Sequence, residues 1–383
     1  MAKRRGYGKG TIYQRKDGRW VGRISLGDGR YKYTYGRTRS DVANQLIKDL
    51  HDQQQGTLIV GPRQTLEKYL DRWLEEIARQ NVRTSTFLRY QELIRLHVLP
   101  SLGKKILSKL SAEDLSKLYN DLGKKLSPRT VGHVHRVIHV ALKTAVRWNF
   151  ISRNPADLVD PPKVPRFEIK PLDIQQTRAL LNAAKDDPLE ALYVLALTTG
   201  MRQGELLALK WQDIDVEHGI IYVNRSIRYI KDQGFMETDP KSANSRRNVA
   251  LTALGIEALR RHRIKQEEMK LRANGKWNEQ NLVFCNSVGK PIGNQNIINR
   301  SFIPLLKRAG LPRIRFHDLR HSTATLLLSL RQHPKVVQEM LGHSQIGVTM
   351  DIYTHVVPSL HTDAATELNN LLTGVQTGVK NQD

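Results

Sequence analysis

Four short stretches in the second half of the chain combine basic residues with groups able to move a proton or attack phosphorus. TTGMRQGELLALKW (198–211) sets Arg202 three residues before Glu205 in an otherwise apolar run, a spacing that puts both on one helix face. TDPKSANSRRNVAL (238–251) places Lys241 just after a proline, at or near a hairpin turn ahead of the alternating run that starts at Arg247. RFHDLRHSTATLLL (315–328) holds His317, Arg320 and His321, and LGHSQIGVTMDIYTHV (341–356) holds His343 and Tyr353. Tyr353 is the only tyrosine beyond position 229 in a chain that has twelve. Taken singly, each stretch has an ordinary reading: a structural Arg–Glu pair, an exposed loop lysine, a helix surface, a core aromatic. Together they suit phosphoryl transfer without a metal. Arginine forks hold non-bridging oxygens and stabilise the charge of the transition state. A tyrosine can attack phosphorus and give a covalent ester. A lysine or histidine can protonate the departing hydroxyl.

Metal chemistry fits less well. His317 and His321 have H-x-x-x-H spacing, but a zinc hydrolase needs a glutamate beside the first histidine, and Asp318 stands there. The single cysteine, Cys285, rules out a Cys-rich zinc site and an internal disulfide framework. No metal and no other cofactor is expected.

Several elements must position these groups. VVQEMLGHSQIGVTMDIY reads as helix, glycine stop, turn and second helix, a helix-turn-helix outline around His343 and Tyr353. A catalytic segment over 173–375 mixes helices with a few strands, such as GIIYVNRSIRYI, and 376–383 form a polar tail. Five of the fifteen prolines fall between 151 and 172, which marks a semi-rigid linker. Before it, 65–150 reads as four helices with three- and four-residue apolar spacing; Ser111 opens the third and Ser127-Pro128 the fourth. The fourth carries Arg129, His133, His135, Arg136, His139, Lys143 and Arg147, a basic solvated face with no acid or cysteine to complete a metal site. Residues 1–55 begin with turn signals at Asp17-Gly18 and Gly27-Asp28-Gly29, which predict a three-stranded meander. A helix from Ser40 to about Gln55 follows, with Val42, Leu46 and Leu50 toward the sheet. Tyr and Trp on one face with Arg and Lys on the other would suit a sheet pressed into a DNA groove.

Composition agrees. With 383 residues and 39% hydrophobic content the chain can build two or three cores. Sixty-one Lys and Arg against 37 Asp and Glu give a net charge of +24, a field that favours a polyanion. Residues 1–40 alone hold twelve Lys and Arg and two acids. No run approaches the ~18 apolar residues of a spanning helix, and no apolar stretch follows the basic N-terminus as in a secretory signal. A cytoplasmic, nucleic-acid-facing protein is expected.

Arg202 in TGMRQGE, Lys241 in PKSANSRRNV, His317 and Arg320 in HDLRHS, His343 in LGHS and Tyr353 in TMDIYTHV, in that order and spacing, resemble the signature of the tyrosine recombinases. The resemblance implies Tyr353 as nucleophile, Lys241 and His317 in proton transfer, and Arg202, Arg320 and His343 on the phosphate, with Glu205 supporting Arg202. It extends along the chain: 65–150 is similar to the core-binding domain and 1–55 to the arm-binding domain of phage and conjugative-element integrases. The fold class implied is multidomain: a small three-stranded sheet plus helix, an all-α four-helix domain, and a mainly helical α+β catalytic domain. The implied partners are double-stranded DNA at core and arm sites and a homotetramer on DNA, with a host DNA-bending protein and an excisionase as possible accessories, in the cytoplasm of a bacterial host. Three rivals stand beside the integrase: a chromosome-dimer resolvase of the same family, a type IB topoisomerase, and a non-catalytic DNA-binding regulator.

Overall fold

The computed structural model describes residues 10–27, 29–55, 58–165, 170–230, 233–238, 246–347, 349–350, 352, 365–366, 368–370 and 372–373. The chain divides into two compact units, Met1–Arg166 and Phe167–Asp383.

The first unit opens with an antiparallel meander, β1 (Thr11–Gln14), β2 (Trp20–Gly27) and β3 (Arg30–Gly36), followed by α1 (Arg39–Gln54). Thr38 caps α1 through a reciprocal bond set with Asp41, two residues before the Ser40 start that the sequence suggests. Val42 and Leu46 of α1 are buried toward the sheet, whereas Leu50 is only half-buried. Side chains alternate along a strand, so Tyr31, Tyr33 and Tyr35 share the face away from α1. Lys32 and Thr34 point to the helix side and bond the buried Asp49 carboxylate at 3.1 and 2.9 Å. This corrects the expected split into an aromatic face and a basic face. Arg23 pairs in register with Tyr33 and lies 4.7 Å from the Tyr31 ring, while Trp20 alternates to the helix side. The open face is therefore tyrosine-rich and cationic at once.

Four main helices follow: α2 (Leu66–Trp73), which runs on through a wider π-type turn at Leu74–Ala78, α3 (Thr84–Leu93), α4 (Ala112–Gly123) and α5 (Pro128–Arg147). Thr65, Ser111 and Ser127 each accept a backbone N–H at a helix start, and Pro128 takes the first helical position. The helices close on Leu70, Trp73, Ile94, Leu115, Ile138 and Leu142, each at most 1% exposed and each contributing roughly 1.5–3 kcal/mol on burial. Ile151 and Ala156 belong to this same core, so the start of the proline-rich segment packs as part of the helical body instead of acting as linker. An acid does reach the histidine face of α5: Asp157 lies 2.7 Å from His139 Nε2, while His135 turns to the Tyr119 hydroxyl.

The second unit is built around α7 (Glu190–Thr199), which follows α6 (Ile174–Ala183). The run ALYVLALTT is apolar nearly all round, and such a helix must lie inside a core. Against it pack α9 (Ala253–Arg272) and α11 (Asp318–Ser329), with α8 (Gln203–Leu207), α10 (Ile303–Arg308) and α12 (Pro334–Leu341) nearby. Strands β4 (Ile214–Asp215), β5 (Ile220–Val223) and β8 (Arg247–Ala250) form one antiparallel sheet; β6 (Ser226–Ile230) and β7 (Gly234–Thr238) form another. No helix among the described residues is long and apolar enough to cross a membrane.

Candidate active site

Arg202 is held where the central helix stops. α7 ends at Gly200, whose φ of +62° a side chain would strain and whose added Cβ would meet Leu341 Cδ2 at 2.3 Å. The sequence suggests Arg202 on a helix face with Glu205. The structure instead makes Arg202 the extended cap residue of α8, and the pairing with Glu205 is kept: Arg202 Nη1 donates to Glu205 Oε1 at 2.8 Å and its backbone N–H to Oε2 at 3.0 Å. Arg202 Nη2 donates to the Gly342 carbonyl at 3.0 Å, which ties the site to the end of α12. Gly342 is in the left-handed region, φ +67°, and stops α12 as the sequence reading requires.

His317 caps α11 and Arg320 lies in its first turn. Arg320 is 3% exposed. Its Nη1 donates to the Gly200 carbonyl at 2.8 Å, while the equally buried Nη2 has no partner among the described residues. A buried donor left bare costs about 1–3 kcal/mol, more when charged, so an anionic ligand is the natural occupant. Desolvation first, then the charge of Arg202, pulls the Arg320 guanidinium down to about 9, which still leaves it cationic at neutral pH. Asp318, beside His317, is committed elsewhere, since Arg315 grips its carboxylate at 2.7 Å.

His343 follows Gly342 and is buried, with Nδ1 2.9 Å from the Thr349 hydroxyl. Desolvation, then the charges of Arg320 and Arg202, push it down to about 3. His317 keeps an open edge, yet partial desolvation, His321 and Arg320 bring it down to about 4. Both imidazoles are therefore neutral at pH 7, and each feels the cations around it. Glu205 is the counter-charge. Burial opposes its ionisation, but Arg247 and then Arg202 outweigh that, and the carboxyl sits below its ordinary value.

The structure thus gathers Arg202, Glu205, His317, Arg320 and His343. Lys241 and Tyr353 lie outside the described residues. The described strands flanking Lys241 pair with other strands and not with each other, β7 with β6 and β8 with β5, so they do not make the expected hairpin. Two residues escaped the sequence reading. Arg247, on β8, donates to Glu205 Oε2 at 2.9 Å and to the Met340 carbonyl at 2.8 Å; Thr349 fixes the His343 ring. For Arg247 the available signal was the pair Arg246-Arg247 leading a strand in which only alternate residues face inward.

Comparisons with known proteins follow the same lines. Residues 170–359 match the family model described as phage integrase family, and residues 65–123 match the phage integrase N-terminal SAM-like domain. A tyrosine recombinase XerC-like protein of Caldanaerobacter subterraneus is 32% identical over 371 residues, covering 92% of this chain and 94% of that one. An integrase of Streptomyces ambofaciens is 33% identical over 391 residues, covering 95% and 97%. Among solved structures, the Tn1549 transposon integrase in complex with transposon right-end DNA superposes with a TM-score of 0.66 at 22% identity, covering 79% of this chain and all of that one. A lambda integrase dimer bound to a core site gives 0.55 at 19% identity, covering 89% and 94%. At those identities the two structures speak for the fold.

Proposed function

We propose a division of roles from one premise: the chain belongs to the phage integrase family and is a tyrosine recombinase of a phage or mobile element, an enzyme that cuts and rejoins DNA. Tyr353 attacks the scissile phosphorus. Its phenol gives up a proton to the neutral imidazole of His317, the P–O5′ bond breaks, and the 5′-oxygen leaves as a hydroxyl after taking a proton from Lys241. The product is a 3′-phosphotyrosine ester, which keeps the energy of the broken bond; attack by a 5′-hydroxyl from the partner duplex reverses the step and frees Tyr353. Arg202, Arg320 and His343 hold the non-bridging oxygens, and Glu205 supports Arg202. The observation that carries this assignment is the bare, buried Nη2 of Arg320 beside a second arginine and two neutral histidines.

The rest of the chain then delivers DNA. Residues 65–150 hold core sites and 173–375 cut them, across the boundary at 151–172. Residues 1–55 hold separate arm sites through the tyrosine and arginine face of the sheet. Four protomers act on two duplexes in the host cytoplasm.

The test is a nicked core-site substrate that traps the covalent product. The wild-type chain should give an SDS-resistant adduct in EDTA, and Tyr353→Phe should give none while still binding DNA. An adduct from the Phe variant sinks the nucleophile, and restoration only by added metal sinks the metal-free chemistry. Recombination between two plasmid-borne sites, as opposed to relaxation alone, separates the integrase from a topoisomerase; a regulator gives no adduct at all.

A further inference from the structure

We infer that Arg247 is a positioning residue for DNA cleavage, which acts by keeping Arg202 from closing on Glu205. The inference rests on the reading that Arg202 holds the scissile phosphate. An arginine beside a carboxylate defaults to a two-point fork, both oxygens taken by one guanidinium. That arrangement would spend the donors of Arg202 on Glu205. Here Arg247 Nη2 occupies Glu205 Oε2 at 2.9 Å, and the backbone N–H of Arg202 bonds the same oxygen at 3.0 Å. The Arg202 guanidinium is left with Oε1 alone, through Nη1 at 2.8 Å, and turns its Nη2 to the Gly342 carbonyl at 3.0 Å. The Arg202 side chain stays 38% exposed and so within reach of a ligand, whereas the Arg247 side chain is only 6% exposed.

Arg247 fixes the other side of the site as well. Its Nε donates to the Met340 carbonyl at 2.8 Å, and its side chain packs close where Gly342 lacks one: a Cβ there would come 3.0 Å from Nη1 and 3.2 Å from Cζ. One buried guanidinium thus sets both groups that aim Arg202, the Glu205 carboxylate and the Gly342 carbonyl next to His343. Its charge lowers the affinity of Arg320 for its proton, an electrostatic cost that an apolar residue packed on Gly342 would avoid. Arginine at this place makes sense if the carboxylate has to be shared.

The test compares two scissile groups in the full-length chain under single turnover: an ordinary phosphodiester and a methylphosphonate, in which one non-bridging oxygen is a methyl group and one negative charge is gone. A neutral group has less need of a guanidinium. Arg247→Met should slow adduct formation on the phosphodiester by about 100-fold, and the deficit should shrink to a few-fold on the methylphosphonate, as for Arg202→Ala. The double variant should be no slower than Arg202→Ala alone. Equal slowing on both substrates, or additive losses in the double variant, would show that Arg247 merely supports the fold. Melting and DNA binding check that Arg247→Met is folded; if it is not, Arg247→Lys, which keeps the charge but cannot bond Glu205 and Met340 together, carries the same comparison. A normal rate for Arg202→Ala would overturn the phosphate reading itself, and that control does not involve Arg247.

Discussion

The N-terminal sheet and the candidate active site are both rich in cations, and they hold them in opposite ways. On the sheet, Tyr31, Tyr33 and Tyr35 are each more than 40% exposed, and Arg23 lies over one of their rings. In the second unit the side chains of Arg320 and Arg247 are almost fully buried, and each is fastened to a backbone carbonyl. Hydrated, loosely held charge attracts a polyanion at long range, adapts to it and is screened by salt. Buried, pre-oriented charge does little for encounter but is strong where a transition state develops charge, because no reorganisation is needed at that moment. The same residue type is therefore suited to collection in one region and to chemistry in the other.

The contrast predicts where damage should be greatest. Glu205→Ala should be the most disruptive, since it strands the guanidinium of Arg247 in the interior beside Arg202; about 3–5 kcal/mol of stability should go, read as a lower denaturant midpoint. A fully stable variant would mean that the two arginines do not depend on their shared carboxylate. Next, Arg202→Lys and Arg320→Lys should each cut adduct formation by about 100-fold with core-site binding nearly unchanged, because an ammonium cannot form a fixed fork. Unchanged rates in stopped adduct assays would make both arginines structural.

The pH dependence is a third probe. The buried His343 is held down at about 3 in the folded chain and returns to an ordinary value when unfolded. Below the ordinary value the unfolded state binds the extra proton, so stability is whole above about pH 6.5 and falls on acidification toward about pH 3. Between pH 6.5 and 5 this one group should remove about 2 kcal/mol, and His343→Gln should flatten that part of the curve measured by urea unfolding.

The smallest effects belong to the sheet. Arg23→Gln should weaken binding to long DNA only about three-fold, the scale of one exposed cation. Deleting residues 1–55 should leave adduct formation on a core substrate intact while lowering the log–log salt slope of long-DNA binding by ~0.9 for each phosphate that the shortened chain no longer neutralises. Normal recombination of full sites by the truncated chain would contradict the arm role of the sheet.

What could be read in the sequence follows the range of the interactions. Caps at Ser111 and Ser127 and the glycine stop at Gly342 are local signals, and the structure contains them. Arg202, His317, Arg320 and His343 stood out because charged residues inside apolar runs need a reason. Arg247 did not, since its bonds reach Glu205 across 42 residues and Met340 across 93, and nothing near it in the chain signals either partner. The faces of the sheet were misjudged for a similar reason. Alternation says which residues share a face but not which face the helix takes, and Asp49, 17 residues on, draws Lys32 under the helix. The proline count suggested a semi-rigid linker from 151 on, but Ile151 and Ala156 find the helical core.

The central claim, that this chain stores the energy of a broken DNA strand on Tyr353, is tested most directly by locating the covalent bond. The wild-type chain is trapped on a nicked core site, digested with nuclease and trypsin, and analysed by tandem mass spectrometry. Cleavage after Lys335 and Lys380 gives a peptide in which Tyr353 is the only tyrosine. The account predicts a 3′-nucleotide remnant on the Tyr353 phenol, unaffected by EDTA; a remnant on a serine, a histidine or another peptide, or no remnant from a folded and DNA-bound chain, would contradict it.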